Sequence, residues 1–330
     1  MDLHLLIDNL TNPALLFFFL GVIATQLKSD LEIPKNSGKF ISIYLLFSIG
    51  FKGGQELSHS PFSMEILWCL LMGIFLAVFV PLYTFFILKR KFSIANSGAI
   101  AASYGSVSAV TFVTAISFLE MENIGFGGHM VAVMALMEAP SIIVGVLLIA
   151  LFSMDTDKQV GLKKILHHSL TNGSVLLILG SLIIGLLANE KQAMGIEPFT
   201  TDIFKGFLAV FLLDMGITSG KQLSDFLKKG RFAFLFSILI PMLNGCVVAF
   251  LSGLFITSIG DRFLFSILAA SASYIAVPAA MRVAAPKANP SLYLPMALAI
   301  TFPFNITLGM PLYLFLIQSF DSEMILASLN

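Results

Sequence analysis

Hydrophobic residues in this sequence are gathered into long runs, and most charged residues fall between those runs. Ten runs can be marked, five in each half of the chain. A helix needs about 20 mostly apolar residues to cross a bilayer, so most runs are long enough and the first is short. The runs lie at roughly 13–27, 38–54, 62–88, 94–119, 127–153, 170–188, 202–220, 231–257, 261–284 and 291–319. This pattern predicts an all-α integral membrane protein with about ten transmembrane helices.

Two segments of the first half return in the second half. The segment 46–57 returns as 212–223, with two leucines and two glycines in matching places, and 101–108 returns as 269–276. Because five spans per half is an odd number, the second half must enter the membrane from the opposite face, which predicts a five-plus-five inverted repeat. The predicted organisation is a first repeat at 1–153, a short cytoplasmic linker at 154–168 and a second repeat at 169–330.

The basic residues are divided unevenly between alternate loops. Of the 19 Lys and Arg residues, all but four lie on one side of the predicted membrane. The four on the other side are Lys52, Lys191, Lys205 and Arg262. Since Lys and Arg are retained in cytoplasmic loops, the richer side is predicted to be cytoplasmic and both termini to lie outside. The expected location is the cell (inner) membrane, crossed many times.

Composition supports lipid as the solvent of this chain. Hydrophobic residues make up 57% and charged residues only 12%, whereas soluble proteins carry about 25% charged residues. The mean hydropathy is +0.93. A net charge of zero gives no reason to expect nucleic acid as a partner. Cys69 and Cys246 both lie inside apolar runs, where buried thiols without a disulfide or a metal are expected.

The fourth and ninth runs are interrupted near their middles by small and polar residues, at 103–111 and 271–280. Gly105 is expected to loosen the first of these helices, and Pro278 removes a backbone donor from the second. Non-helical backbone at membrane depth is tolerated where it is buried or lines a cavity. Small residues also serve close helix packing, but their symmetric occurrence favours two broken helices that cross.

Two broken helices that face each other would bring two half-helix N-termini together. Free N–H groups and the positive ends of helix dipoles bind anions without any basic side chain. The predicted anion-binding residues are Gly105, Ser106, Val107, Ser108, Ser271, Ser273, Tyr274, Ile275 and Ala276. Hydroxyl and carboxylate oxygens can also ligate a cation, and the predicted cation-binding residues are Ser108, Thr111, Glu138 and Ser273. Ser106, Ser108, Ser271 and Ser273 are expected to line one central cavity.

Two carboxylates lie well inside predicted spans, away from the span ends: Glu138 in the fifth and Asp214 in the seventh. A charge at bilayer depth costs about 2.5–3.5 kcal/mol or more, so each needs a partner or a function. We predict that Glu138 serves the cation step, by binding Na⁺ or by taking a proton, and the alternative is a hydrogen-bonded structural glutamate. Asp214 has Ser48 at the matching position of the first repeat and is a weaker candidate.

These segments resemble the sodium-dependent bicarbonate transporter family known from cyanobacteria, and the similarity covers nearly the whole chain. It is clearest at 46–54, 105–108, Glu120, 137–140, 215–216, 269–271, Pro278, 288–291 and Pro303. The resemblance implies ten helices in an inverted repeat, a core domain that moves against a gate domain, and a homotrimer. It also implies Na⁺-coupled uptake of an anion bound where the two broken helices meet.

The breaks depart from the family pattern at particular residues. Ala109 and Val110 stand where the family reads Gly-Ser, and Tyr274 stands where it carries an aspartate. A phenol contributes no negative charge, so we expect either weak Na⁺ dependence or a cation site rebuilt around Glu138. The linker at 154–168 is much shorter than in cyanobacterial members, which argues against their PII-like cytoplasmic regulator as a partner.

The sequence therefore predicts a secondary active transporter of a small anion that needs no cofactor, with Na⁺ as a possible coupling ion. Na⁺-coupled bicarbonate uptake by an elevator-type movement is the leading hypothesis. The alternatives are an H⁺-coupled or uncoupled transporter of another small or organic anion, and a membrane sensor that binds without transporting. An intramembrane enzyme is disfavoured because no span carries a His-Glu pair at zinc spacing or a Gly-x-Ser-x-Gly motif.

Overall fold

The computed structural model describes residues 3–34, 36–59, 63–153, 171, 173–227 and 230–328. All regular structure in these ranges is helical. The predicted linker at 154–168 lies outside the described residues. The all-α class is therefore confirmed for the part of the chain that the structure describes.

The helices of the first half are α1 (Leu3–Leu10), α2 (Pro13–Gln26), α3 (Ser37–His59), α4 (Met64–Leu88), α5 (Ile94–Gly105), α6 (Ala109–Met121) and α7 (His129–Phe152). Those of the second half are α8 (Gly173–Leu187), α9 (Glu190–Met194), α10 (Phe204–Leu227), α11 (Arg231–Leu251), α12 (Ile259–Ala270), α13 (Ala276–Ala284), α14 (Pro290–Pro295), α15 (Phe302–Phe304) and α16 (Met310–Ser328). Short π-helical turns at Pro198–Asp202, Met296–Thr301 and Asn305–Gly309 and a 3₁₀ turn at Ser252–Leu254 complete the helical structure of the described residues.

Six helical segments of the described chain are long and apolar enough to cross a membrane. They are Met64–Leu88, Ile94–Met121, His129–Phe152, Pro198–Leu223, Arg231–Leu254 and Pro290–Phe320. The helices α2 and α8 are apolar but shorter. Large side chains such as Trp68, Phe75 and Leu243 face outward, as lipid-exposed surfaces require. These features are those of a multi-pass membrane protein, and the count of ten spans stays a prediction.

The fourth and ninth apolar runs are broken, as the sequence predicts. Residues 106–108 separate α5 from α6, and residues 271–275 separate α12 from α13. The first member of each pair is 12 residues long and begins at a serine N-cap, Ser93 or Ser258. The two capping serines are 165 residues apart, and this offset relates equivalent positions of the two broken helices. Ser106 then corresponds to Ser271, whereas the sequence echo of 101–108 in 269–276 is three residues out of this register.

The two residues expected to cause the breaks act differently from the prediction. Gly105 is the last residue of α5, and a Cβ built there would lie 2.2 Å from the side chain of Pro81 in α4. A glycine is needed at this position because of that close contact. Pro278 lies in the first turn of α13, where a missing N–H is tolerated because that turn has no carbonyl partner for it. Pro278 therefore lies at the start of α13, the half-helix that follows the second break.

Each of the two helix pairs in closest contact combines one helix from the first half with one from the second half. The helix α3 packs along α8, and α10 packs along α2. At these crossings Gly54 and Gly216 allow backbones to touch, because a Cβ on either would lie 2.1 Å from a carbonyl oxygen, of Leu182 or of Phe18. The second apolar run of each half thus packs on the first apolar run of the other half, through glycines that allow close approach.

The four helices α2, α3, α8 and α10 form one group, and the remaining long helices form a second group around the two broken helices. The α5–α6 pair lies at the centre of the second group and is almost completely buried. Contacts of α3 and α8 with α7 join the two groups. The helix α3 also contacts α6, so the first broken helix lies at the boundary between the groups.

Candidate functional site

The two helix breaks meet at hydrogen-bonding distance. The backbone N–H of Ser273 donates to the carbonyl oxygen of Ser103 at 2.8 Å. The backbone N–H of Ser108 donates to the hydroxyl of Ser271 at 3.2 Å. These bonds tie the second half of the chain to the first, so the broken helices cross each other at their interruptions.

Helix ends at membrane depth leave carbonyl groups that need donors. Ser141 of α7 donates its hydroxyl to the carbonyl of Ala102, near the end of α5, at 2.8 Å. Asn305 donates its amide to the carbonyl of Ala270, the last residue of α12, at 2.8 Å. All four residues are buried. The carbonyl groups of Ala102 and Ala270, near the ends of the two half-helices, are therefore satisfied by neighbouring helical segments.

We predict that Asn305→Ala destabilises the protein by about 1–3 kcal/mol, because the Ala270 carbonyl loses its donor in a buried setting. The thermal midpoint of the purified protein in detergent measures this effect. Thr307→Val is the matched control, since the Thr307 hydroxyl donates to Pro303 within its own helical turn. Equal shifts for the two variants would contradict a special role of Asn305 at the break.

A narrow pocket lies at the junction of the breaks. Its lining residues are Leu46, Val107, Ser108, Ala109, Glu138, Ser174, Ser273, Tyr274, Ile275 and Ala276. The first residues of α6 and α13 are both in this set, so two half-helix N-termini face one space, as the sequence predicts. The pocket has room for the centre of about one water molecule, roughly 10 Å³. A larger ligand therefore needs the walls to move apart.

The structure brings most of the predicted site residues to this pocket. The lining includes Val107, Ser108, Glu138, Ser273, Tyr274, Ile275 and Ala276. The predicted residues outside the lining are Gly105, Ser106, Thr111 and Ser271. Ser271 lies behind the pocket at the crossing, and the backbone N–H of Thr111 donates to the capping hydroxyl of Ser108. Of the four serines expected to line one cavity, Ser108 and Ser273 do so, and Ser106 and Ser271 do not.

Three pocket residues were missed by the sequence analysis, Leu46, Ala109 and Ser174. Ala109 is the first residue of α6, whereas Leu46 and Ser174 belong to α3 and α8 of the other helix group. Leu46 begins the repeated segment 46–57, which was the available signal. Ser174 follows the start of α8 and carries no comparable signal. The pocket therefore lies between the two helix groups, and residues of both form its walls.

Glu138 brings a carboxyl group to the pocket. Its side chain is 5% exposed, and among the described residues its Oε2 atom has no hydrogen-bond partner. It takes part in none of the ion pairs found in that part of the chain. The hydroxyl of Tyr274 lies beside Ser108, likewise without a well-formed hydrogen bond within the described structure. Unsatisfied polar atoms on residues that line a cavity are suited to a ligand.

Asp214 lies elsewhere. Its carboxylate lies against Gly38 in the first turn of α3, where the positive end of the helix dipole favours a negative charge. It is not among the residues that line the pocket. Asp214 therefore does not replace the charge that Tyr274 lacks.

The site can hold a small anion through backbone N–H groups and hydroxyls, and it offers one carboxyl group to a cation or a proton. No cluster of three or more His, Cys, Asp or Glu side chains suited to a metal occurs among the described residues. A search of curated proteins gives no match. The family model described as the Na⁺-dependent bicarbonate transporter superfamily matches residues 13–318. This match includes both broken helices and the pocket between them, and the chain therefore belongs to the Na⁺-dependent bicarbonate transporter superfamily.

Proposed function

We propose that this protein is a secondary active transporter of a small monovalent anion, that bicarbonate is its first candidate substrate, and that the anion binds at the pocket between α6 and α13. The observation that carries the proposal is the convergence of two half-helix N-termini on one pocket. Bicarbonate has oxygens that accept hydrogen bonds from N–H and hydroxyl groups. Ser108 and Ser273 supply such hydroxyls, and the two helix dipoles favour the negative charge.

We propose an inverted repeat of five spans plus five, with repeats at 1–153 and 169–330. The equal lengths of α5 and α12, their matching serine caps and the exchanged glycine contacts support it. We also propose that the second helix group slides against α2, α3, α8 and α10 as an elevator. The pocket lies between the two groups, so such sliding would open it to each side of the membrane in turn. We also propose that both termini lie outside, that the protein resides in the inner membrane and that it forms a homotrimer.

The coupling ion proposed first is Na⁺, held by oxygens of Ser108, Thr111, Glu138 and Ser273. Tyr274 supplies no negative charge, so the charge that attracts Na⁺ has to come from Glu138. The Oε2 atom of Glu138 has no hydrogen-bond partner among the described residues, which favours a second candidate as well, in which the carboxyl group carries a proton with the anion. In both cases the site serves transport, and no covalent bond is made or broken there.

Uptake of radiolabelled bicarbonate into proteoliposomes tests the proposal. We expect uptake above that of empty vesicles, increased by an inward Na⁺ gradient and unaffected by a matched K⁺ gradient. Uptake driven by a proton gradient alone would favour the second candidate. Binding without uptake would indicate a sensor and overturn the transport proposal.

Ser108→Ala and Ser273→Ala each remove one hydroxyl donor from the pocket. We predict that the half-saturation concentration for bicarbonate rises about tenfold or more in each variant, because hydrogen bonds to charged groups contribute about 1.5–3 kcal/mol. Ser319→Ala is the matched control, since that hydroxyl donates only to Phe315 in its own helix. Unchanged concentration dependence in both pocket variants would place the anion elsewhere.

A further inference from the structure

One carboxylate joins the two helix groups through two lysines. Glu120 belongs to the last turn of α6, in the group of the broken helices. Its Oε1 atom lies 3.4 Å from Nζ of Lys52 in α3, and its Oε2 atom lies 3.3 Å from Nζ of Lys205 in α10. Both lysines belong to the other group. These three residues, called here the Lys-Glu-Lys triad, therefore bridge the boundary along which the groups are proposed to slide.

The triad lies to one side of the pocket. Lys52 is six residues beyond the pocket residue Leu46 in α3, and Glu120 is eleven residues beyond the pocket residue Ala109 in α6. With a rise of about 1.5 Å per residue, these separations are about 9 Å and about 16 Å. Lys52 and Lys205 are two of the four basic residues predicted to lie outside. By the predicted orientation, the triad lies between the pocket and the outer surface.

Packing and charge both position the triad, although it is not deeply buried. Nζ of Lys52 lies 5.9 Å from the ring centre of Phe204, within the range of a cation–π contact, and Phe204 is buried. The side chains of Lys52 and Glu120 are 36% and 31% exposed, so water weakens each ion pair. Loss of the carboxylate would also leave the two lysines to repel each other. The triad is therefore suited to bias an equilibrium between two arrangements.

The opposite end of the molecule has no equivalent set of charges. By the register of the serine caps, Glu120 corresponds to Ala285, and by the repeat of 46–57 in 212–223, Lys52 corresponds to Thr218. Neither counterpart carries a charge. In an inverted repeat with identical halves, the states open to either side of the membrane would be equally stable. An ionic contact at one end alone therefore makes the two states unequal.

We propose that the Lys-Glu-Lys triad is an ionic latch that keeps the pocket closed to the outside, and that an anion enters from outside after Glu120 has left the two lysines. The inference rests on the proposed sliding of the two helix groups. A shift of α6 by one helical turn, about 5.4 Å, takes the carboxylate out of reach of the lysines as they are placed here. The latch thus shifts the population toward the state closed to the outside.

Labelling of a pocket cysteine from outside intact cells tests the latch. Ala109→Cys places a thiol on the pocket wall, in a background that carries Cys246→Ser and keeps the completely buried Cys69. Glu120→Gln in this background should raise the rate of labelling by membrane-impermeant methanethiosulfonates about two- to tenfold, the range expected for partly exposed ion pairs. Labelling from the cytoplasmic face, measured in inside-out vesicles, should not rise. A rise from the cytoplasmic face alone would overturn the proposal.

A cationic and an anionic reagent separate opening of the latch from simple attraction of the reagent. Removal of the Glu120 carboxylate makes the entrance more positive, which by itself speeds the anionic reagent and slows the cationic one. Opening of the latch speeds both. A faster reaction of the anionic reagent alone, or unchanged rates for both, would contradict the proposal.

Further variants keep the test open if Glu120→Gln folds poorly. Lys205→Gln removes a lysine that is 61% exposed and should raise labelling by a smaller factor. Reversal of all three charges, by Lys52→Glu, Glu120→Lys and Lys205→Glu together, keeps the attractions and should restore slow labelling by both reagents. Glu122→Gln is the matched control, since Glu122 takes part in none of the ion pairs found among the described residues. Wild-type rates in folded Lys205→Gln, or fast labelling of the reversed triad by both reagents, would count against the latch.

The labelling assay needs no transport, so the latch and the proposed function can fail separately. Equal labelling of all variants from outside would overturn the latch, whatever the uptake of bicarbonate. An effect of Glu120→Gln on labelling by both reagents, in a protein that takes up no bicarbonate, would support the latch and count against the transport proposal.

Discussion

Replacing Glu138 with Gln is expected to abolish gradient-driven uptake while the protein stays folded. The substitution keeps the size of the side chain and removes the one carboxyl group among the residues that line the pocket. Gln can neither neutralise Na⁺ nor carry a proton at neutral pH. We therefore expect uptake in proteoliposomes to fall to the level of empty vesicles, under either an Na⁺ or a proton gradient.

Asp214→Asn is the matched control for this prediction. Asp214 is also a carboxylate within an apolar helix, but it lies against Gly38 and outside the pocket. We expect this variant to keep its gradient-driven uptake. Size-exclusion profiles and thermal midpoints of both variants show whether each is folded. Unchanged coupling in a folded Glu138→Gln protein would return Glu138 to a purely structural role.

Gly216→Ala is expected to destabilise the protein strongly, although alanine is the better helix former. Its Cβ would lie 2.1 Å from the carbonyl oxygen of Phe18. That oxygen belongs to backbone, so α2 and α10 would have to separate. Overpacking of this kind costs about 1–3 kcal/mol and occasionally more. The thermal midpoint and the yield of folded protein in detergent measure the loss.

The same helix provides the control for Gly216. A Cβ at Gly206 in α10 would meet no atom within 4 Å. Gly206→Ala should be neutral or stabilising, because alanine exceeds glycine in helix propensity by about 1 kcal/mol. If the two variants had equal stability, the close backbone contact at Gly216 would not be a determinant of packing.

The sequence identifies the features of this fold that interrupt an apolar pattern. Ser and Gly residues inside long hydrophobic runs have few uses, so the positions of both breaks and the approach of Ser108 and Ser273 to one pocket could be predicted. Glu138 could be assigned to the pocket for the same reason, since an acid in an apolar helix needs an explanation.

Other features depend on contacts that the sequence does not reveal. The register between the halves follows from the serine caps at 93 and 258. The sequence match of 101–108 with 269–276 suggested a register that differs from it by three residues. Ser174 reaches the pocket because α8 packs on α3, which no periodicity predicts. Asp261 and Asn96 correspond in position, yet each accepts its hydrogen bond from a loop of the other half of the chain, at Gly127 or Asn289.

The exchanged helix pairs also determine when the newly made chain can reach its final arrangement. The helices α2 and α3 are synthesised first, but their glycine surfaces fit α10 and α8, which leave the ribosome much later. Until then those surfaces face lipid or other insertion intermediates. Neither half has its own complete set of helix neighbours, so assembly in the bilayer is a late step that needs both halves at once. The first half therefore enters the bilayer with α4, α5 and α7 able to pack on one another, while the glycine surfaces of α2 and α3 still lack their partners.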